Sequence, residues 1–396
     1  MRNVGTVVRG IRTPIIKAND DLSSIVVESL IKAKENEGFD FKERDVVAVT
    51  EAVVAIAENN YATVDDIAED IKRKFPDGDI GLINPILSRN RFSILLKGIA
   101  RGCKHITIFL SFPNDEVGNG ILDEEILEEN DNFSLESTIT EEQYNEVFGK
   151  YIHPFTGINM VQFYRDLVKE EGCKVDFVFS NNPKKILEYN KDVLVASIHT
   201  RNRIKKLLKN NGGRIILGLD DILTESINNS GYNPKYGLLG SNKATEEKVK
   251  LFPKNPQKVV DEIREKLSKY TDKQIEVMCY GDGCFKDPVG GIWELADPVV
   301  SPAYTNGLEG TPNELKLKYL SDNKFSDLKG TELKEAIVEE IKNKDKNLKG
   351  KMETQGTTPR RLTDLLGSLA DLTSGSGDKG TPVVFVQGYF DNLASE

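Results

Sequence analysis

The C-terminal run, residues 356–388, most limits what this chain can fold into, because it sets a helix, a glycine- and serine-rich loop and an apolar strand side by side. Thr358 can act as the N-cap residue, and Pro359 suits the first helical position. Leucines then recur at helical spacing, namely Leu362, Leu365, Leu366, Leu369 and Leu372. Residues 383–386, with the sequence VVFV, predict a buried strand.

The loop inside this run, residues 374–380, offers many unencumbered backbone N–H groups and one ammonium, that of Lys379. A loop of this composition at the edge of a strand suits a phosphate or another anion. A plain turn between helix and strand is the ordinary alternative, because glycine and serine are common turn residues. The order helix, loop, strand differs from that of the P-loop, which runs strand, loop, helix.

Composition excludes several classes of protein. A chain of 396 residues has room for two or three domains. No apolar run approaches the roughly 20 residues that span a bilayer, and the N-terminus lacks the apolar core of a signal peptide. A net charge of −10 argues against a general nucleic-acid binder. Four scattered cysteines indicate reduced thiols in a cytoplasm, and three separated histidines make a His-rich zinc site improbable.

Hydrophobic patterning predicts an α+β fold. Residues 175–219 alternate strand and helix patterns, which predicts a small α/β layer. The same patterns divide the chain into three regions, residues 1–120, 121–270 and 271–396. The individual predictions are strands at 4–9, 45–49, 104–112, 175–180, 192–198, 214–219 and 274–280, a helix at 21–34, a solvated acidic excursion at 121–147 and a charged helical segment at 244–270.

Two loops that follow predicted strands carry carboxylates. Asp282 lies between glycines after the strand at 274–280, an arrangement that can present an oxygen to Mg²⁺ or Mn²⁺. A β-turn in which Asp282 bonds only the backbone is an equal alternative. Asp115 and Glu116 follow the strand at 104–112, and one of them could reach a metal, although a solvated turn is the ordinary reading. The pair 220–221 is a weaker metal candidate that could equally cap a helix.

Arg360 and Arg361 are predicted in the first turn of the C-terminal helix, where a cation opposes the helix dipole. That placement points to an anionic partner. A surface salt bridge to Asp364 or Asp371 is the ordinary alternative.

Several of these segments resemble the coenzyme F-420-0:L-glutamate ligase family, which are gamma-glutamyl ligases. Residues 10–22 and 45–55 resemble the opening of that family. Residues 114–119 stand where the family has an acidic, asparagine-containing turn that binds metal and nucleotide. Residues 282–285 are similar to its Asp-Thr-Phe-Gly metal motif, and residues 374–381 to its C-terminal nucleotide loop.

The resemblance covers residues 1–120 and 271–396, which implies a mixed ligase core split by an inserted α/β subdomain at 121–270. It also implies a homodimeric ligase that uses GTP and Mg²⁺ or Mn²⁺ to join L-glutamate to a small carboxylate acceptor similar to coenzyme F-420-0. The acid would be activated as an acyl phosphate, which the amine then attacks. By resemblance, Asp115, Glu116 and Asp282 hold metal, while Arg360 and Arg361 face phosphate or a substrate carboxylate. The nucleotide would be lined by Thr13, Pro14, Ile15, Ile16, Glu51, Ala52, Asn119, Gly375, Ser376, Gly377, Asp378, Lys379 and Gly380.

Two positions depart from the family pattern. Ile56 stands where compact members carry a basic residue, and Gly283 replaces the threonine of the metal motif. Two other functions therefore stay open. One is a ligase or kinase that acts on a different acid, and the other is a non-catalytic protein that binds a nucleotide or metabolite.

Overall fold

The computed structural model describes residues 3–354, 360–375 and 377–395. The predicted helix-starting residues Thr358 and Pro359, and the loop residue Ser376, lie outside that part of the chain.

Strands and helices alternate along most of the chain. The strands are β1 (Val7–Ile11), β2 (Val46–Thr50), β3 (Tyr61–Thr63), β4 (Asp79–Ile83), β5 (His105–Leu110), β6 (Thr138–Thr140), β7 (Lys174–Ser180), β8 (Asp192–Val195), β9 (Ile215–Gly218), β10 (Asn242–Thr245), β11 (Lys248–Lys250), β12 (Glu276–Tyr280), β13 (Ala303–Tyr304) and β14 (Val383–Gln387). The helices are α1 (Leu22–Glu37), α2 (Glu51–Ala57), α3 (Val64–Lys74), α4 (Phe92–Gly102), α5 (Glu124–Glu128), α6 (Glu141–Val147), α7 (Met160–Glu170), α8 (Arg201–Asn210), α9 (Pro256–Thr271), α10 (Leu317–Tyr319), α11 (Gly330–Asn343) and α12 (Leu362–Ser374).

Sheet I has the strand order β1-β14-β2-β12-β13. Only β2 and β12 run parallel, while the other neighbours are antiparallel. The central strands are apolar except at single end positions, namely Gln387, Thr50 and Glu276, because both faces are covered. Val47 and Val49 face a core shared with α1, α2 and α9, whereas Val46 and Ala48 pack against Leu366 and its neighbours on α12. Sheet I is thus a layer between two sets of helices.

Sheet II has the order β6-β7-β5-β4-β8-β9, in which all strands except β6 run parallel. Helices α3, α4 and α7 cover one face and α8 covers the other. The carboxyl ends of the parallel strands all meet at one edge of the sheet, which therefore gathers the loops that follow β4, β5 and β8. A small third sheet, β10-β11-β3, lies beside α3 and α4.

Mixed helix and sheet layers of this kind confirm the predicted α+β class. Residues 150–240 add no strand to sheet I within the described part of the chain, so they stand apart from β1. However, the boundary predicted after residue 120 separates β5 from β7, and these two strands are directly paired. Sheet II is contiguous in the chain between the two halves of sheet I. We therefore propose that the inserted unit begins near β3.

Most predicted strands are present, but the predictions for two segments were wrong. Residues 121–147, predicted as a solvated acidic excursion, form α5, β6 and α6, because their apolar side chains, among them Ile139 and Tyr144, are buried in the core of sheet II. Residues 244–270, predicted as one charged helical segment, contain the end of β10, all of β11 and most of α9. A turn separates the two short strands, and Pro256 then starts α9 at a helical position that tolerates proline. The first strand also lies later than predicted, at Val7–Ile11, because its partner β14 pairs with those residues.

Candidate functional site

One edge of sheet I collects most of the predicted site segments. The strands β1, β2 and β12 end at this edge, and the antiparallel strand β14 begins there. We call it the site edge. The backbone N–H of Thr13 donates to Gly380 O at 3.3 Å, and that of Thr50 donates to Pro382 O at 3.0 Å. The structure thus brings together residues 13–16, Glu51, Asp282 and the glycine-rich loop.

A large groove runs along β1 and α1 from the site edge, with a volume of about 760 Å³. Its cations are Arg9, Arg12, Lys32 and Lys379, against two carboxylates, Glu28 and Glu37. Thr13 and Pro14 also line it, whereas Ile15 is 87% exposed and Ile16 is buried. Both the excess of cations and the size suit a small anionic ligand. We call this surface the basic groove.

Glycines shape the loop that closes the groove. Gly375, Gly377 and Gly380 have φ values of 59°, 106° and 66°. Residues with side chains rarely adopt these conformations, so glycine is needed for the loop to turn its backbone this way. Asp378 and Lys379 are exposed on the same loop. The predicted anion loop is therefore present in shape, next to the basic groove.

The resemblance implies that Glu51 lines the nucleotide, but the structure buries its side chain. Its carboxylate is buried and meets the ammonium of Lys250 at 3.3 and 3.4 Å. Lys250 belongs to β11 and is itself buried. Burial raises the pKa of Glu51, and the charge of Lys250 opposes that rise. This ion pair joins the start of α2, which directly follows β2 at the site edge, to β11 of the third sheet.

Asp282, after β12, is held by a guanidinium that the sequence analysis did not single out. Arg91 Nη2 donates to both carboxylate oxygens of Asp282 at 2.8 Å, and Arg91 Nη1 donates to Asp297 Oδ1 at 2.7 Å. Asp297 is fully buried, and its second oxygen accepts the backbone N–H of Asp282 at 2.8 Å. Arg91 lies just before α4, a helix that covers sheet II. Its ion pair with Asp282 therefore ties sheet II to the loop that follows β12 of sheet I.

Four carboxylates meet here with two cations. Burial raises the pKa of Asp282 well above its usual value, and Asp297, Asp371 and Glu51 raise it further, while Arg91 lowers it. Burial likewise raises the pKa of Asp371, which accepts only the Gly283 N–H, at 2.8 Å. We call these four residues the carboxylate cluster. With Arg91 and Lys250 as its only close cations among the described residues, the fully ionised cluster carries two excess negative charges, four minus two.

The other two predicted metal ligands organise loops. Asp115 accepts backbone N–H groups of Leu87, Val117 and Asn119 at 2.7–2.9 Å, and the side chain of Asn119 donates to it as well. Burial raises the pKa of Asp115, and these bonds oppose the rise. Asn119 therefore serves its own loop, at the carboxyl end of β5 in sheet II.

Glu116 holds the start of α8. Its carboxylate accepts the backbone N–H groups of Ile198, His199 and Thr200 at 2.6, 3.0 and 2.7 Å. An internal anion thus satisfies N–H groups that a helix start leaves without partners. Across residues 3–354, 360–375 and 377–395, no group of three or more His, Cys, Asp or Glu side chains is arranged to hold a metal ion.

We expect Glu116→Ala to lower the free energy of unfolding by about 2 kcal/mol, because it leaves three backbone N–H groups without their charged acceptor. Mn²⁺ affinity should not change. Chemical denaturation and Mn²⁺ titration measure the two quantities. Glu124→Ala is the control, because Glu124 accepts only one side-chain bond, from Asn114, at an exposed position. A large loss of Mn²⁺ affinity in a folded Glu116→Ala protein would instead support Glu116 as a metal ligand.

A long loop, residues 282–297, lies between β12 and β13 of sheet I and contacts residues of the sheet II unit. Trp293 N donates to Val117 O at 2.8 Å, and His199 Nε2 lies 2.9 Å from Leu295 O. Gly118 has φ of +88°, and a Cβ there would lie 2.4 Å from Gly291 O, so no larger residue fits. The acidic turn of sheet II is therefore packed against the loop that carries Asp282.

Arg360 and Arg361 precede the C-terminal helix, since α12 begins at Leu362. Arg361 is the N-cap residue, with extended backbone, rather than a first-turn residue. Both arginines are exposed, and both act to lower the pKa of Asp364, which burial raises. The weaker metal candidates, Asp220 and its neighbour, instead pair with Arg201 and Lys205.

Four important residues were missed from sequence: Arg91, Lys250, Asp297 and Asp371. Each meets a partner across 88 to 206 positions of the chain, and Asp297 meets Asp282 across 15 positions as well. No local pattern marks them. The one available signal is the position of Asp371 on the helix next to the glycine-rich loop, where the sequence predicts only a possible salt bridge to Arg360 or Arg361.

No helix within the described ranges has the length and apolar character that crossing a membrane requires. A comparison with curated proteins gave no match. The sequence model for F420-0:Gamma-glutamyl ligase matches residues 10–388, which includes every segment of the site edge and all of sheet II. The chain therefore belongs to the F420-0:gamma-glutamyl ligase family and is a ligase of that type.

Proposed function

We propose that this protein uses GTP and Mg²⁺ or Mn²⁺ to form an amide between L-glutamate and a small carboxylate acceptor similar to coenzyme F-420-0. The observation that carries the proposal is the meeting of the predicted anion loop, residues 13–16 and Asp282 at one edge of sheet I. Family membership supports the ligase reaction and the glutamate.

The basic groove is the proposed nucleotide site. Arg12 and Lys379 supply positive charge, and the glycine-rich loop supplies backbone N–H groups that can face phosphate oxygens. Phosphoryl transfer needs mainly positioning and neutralisation of charge, so the lack of a nucleophile-base pair in the sequence is no obstacle. Arg360 and Arg361, exposed near the loop of Asp282, are proposed to bind phosphate or a substrate carboxylate.

The carboxylate cluster fits a divalent cation that arrives with its nucleotide. Mg²⁺ is commonly bound by one or two protein carboxylates together with substrate phosphates and water, so a ready cage of three carboxylates is not required. Asp282 and Asp371 are the proposed ligands, because Asp371 Oδ1 accepts from no described residue. The Tyr280 hydroxyl nearby is buried without a hydrogen-bond partner of normal geometry among the described residues. A bound cation would neutralise phosphate charge there.

Two further properties are proposals. All four cysteines are free, which agrees with a reducing cytoplasm as the place of action. A homodimer is proposed from the family resemblance, and sedimentation velocity measures it.

The decisive assay follows oxygen-18 from the carboxylate of the acceptor acid. We expect label in the released phosphate, because an acyl phosphate passes one carboxylate oxygen to phosphate when the amine of glutamate displaces it. Amide product without label transfer would reject the acyl phosphate. Turnover with other acids but not with coenzyme F-420-0 would indicate a different acceptor. No turnover with any acid in a panel would favour a nucleotide- or metabolite-binding protein.

A further inference from the structure

Arg91 occupies the position beside Asp282 that a cation would take. Its Nη2 donates to both oxygens of Asp282, and its Nη1 donates to Asp297. The Nε–H group of Arg91 has no partner among the described residues. The side chain is 17% exposed, so it can be reached from solvent although it lies inside the carboxylate cluster.

The two carboxylates that Arg91 contacts, those of Asp297 and Asp282, differ in how firmly they are held. Asp297 is 1% exposed and also accepts the backbone N–H of Asp282, so it is fixed in place. Asp282 is 22% exposed, accepts the backbone N–H of Ala296 only at 3.2 Å and follows the end of β12, where the loop begins. Arg91 can therefore keep its bond to Asp297 while its Nη2 leaves Asp282.

We propose that Arg91 is a resident cation that competes with a divalent metal ion for Asp282 and, once released, donates to phosphate oxygens. Only the second part of this inference, the donation to phosphate oxygens, rests on the proposed function. A guanidinium matches phosphate geometry through paired N–H groups, and the release of Nη2 from Asp282 frees that amino group for the same role. Before any ligand binds, Arg91 neutralises part of the negative charge of the carboxylate cluster.

Competition gives Arg91 an experimental signature that a purely structural tether lacks. A tether, when removed, should weaken stability, metal binding and turnover together. A competitor, when removed, should strengthen metal binding while turnover falls, because the cluster becomes more negative and the phosphate loses a donor.

The test is titration of the protein with Mn²⁺ alone, without nucleotide, at pH 8, with free Mn²⁺ followed by electron paramagnetic resonance. We expect Arg91→Met to lower the Kd for Mn²⁺ about 10-fold or more, and Arg91→Lys to lower it less, since an ammonium is a point charge that cannot pair with both carboxylates. Nucleotide turnover should fall in both variants.

Arg101→Lys is the matched control. Arg101 lies in the last turn of α4, at the opposite end of that helix from Arg91, and pairs with three carboxylates away from the site edge, those of Asp65, Glu171 and Glu247. The Kd of the Arg101→Lys protein for Mn²⁺ should stay within about twofold of the wild-type value. An unchanged or raised Kd in folded Arg91→Lys would overturn the inference, even if Arg91→Met does not fold. A wild-type protein without ligase turnover would reject the proposed function and leave the Mn²⁺ comparison fully decisive for Arg91.

Discussion

Asp282→Asn is expected to lower ligase turnover on the order of 10²-fold, comparable to removing one preorganised electrostatic contact. Asparagine has nearly the same volume and keeps one oxygen for Arg91 and for the Ala296 N–H, which bonds Asp282 at 3.2 Å. The fold should therefore persist. What disappears is the anionic oxygen that a divalent cation prefers. GTP affinity should fall in the presence of Mn²⁺ and remain unchanged in its absence, which nucleotide-binding measurements under both conditions report.

Asp287→Asn serves as the matched control for this prediction. Asp287 lies on the same loop but is exposed, and its carboxylate accepts the Gly290 N–H rather than bonding Arg91. Mn²⁺-dependent GTP affinity should stay at the wild-type level. Equal GTP affinity in folded Asp282→Asn and wild-type protein, with Mn²⁺ present, would remove Asp282 from the metal site.

Much of the site edge could be predicted because its signals are local. A run of valines marks a strand covered on both faces, and a glycine-rich loop marks a change of direction at its end. The predicted loops at Thr13, Glu51, Asp282 and Lys379 then share one edge, because the strand directions require it. Sequence pattern supplied the segments, while the pairing order that places them together is visible only in the folded chain.

The assignments of Asp115 and Glu116 show why carboxylates in turns are ambiguous. An acidic side chain at a strand end can meet a metal or satisfy backbone N–H groups, and both uses favour the same residues. The N–H groups that Glu116 accepts lie more than 80 positions away, at Ile198 to Thr200. Nothing in residues 114–119 could reveal them.

The partners of the carboxylate cluster could not be predicted for a related reason. Arg91 and Lys250 belong to the inserted unit, yet their charges compensate residues of sheet I. Surface lysines and arginines are so common that a buried one has no distinguishing mark in sequence. The chain segment between the two halves of sheet I is therefore part of the candidate site, because it supplies both cations of the cluster.

Lys250→Met is expected to lower the free energy of unfolding by about 3–5 kcal/mol at pH 8, since it leaves the buried Glu51 carboxylate without a counter-charge. Side-chain exposure is 10% for Lys250 and 6% for Glu51, so water cannot replace the ammonium. Lys258→Met is the control, because Lys258 is 76% exposed and only loosely paired with Glu262, at 3.8 Å. Its free energy of unfolding should change by less than about 0.5 kcal/mol.

The dependence on pH identifies Glu51 as the cause of that loss. Burial already raises the pKa of Glu51 above its ordinary value of 4.5, and removing Lys250 raises it further. A carboxyl with a raised pKa binds its proton more tightly in the folded state, so the folded protein is favoured at low pH and loses that advantage as pH rises through the raised pKa. The defect of Lys250→Met should therefore shrink between pH 8 and pH 5. Glu51→Gln combined with Lys250→Met should recover most of the stability at pH 8, because no buried charge remains. If Lys250→Met alone is as stable as wild type at pH 8, Glu51 is already protonated in the fold and the pair carries no net charge attraction.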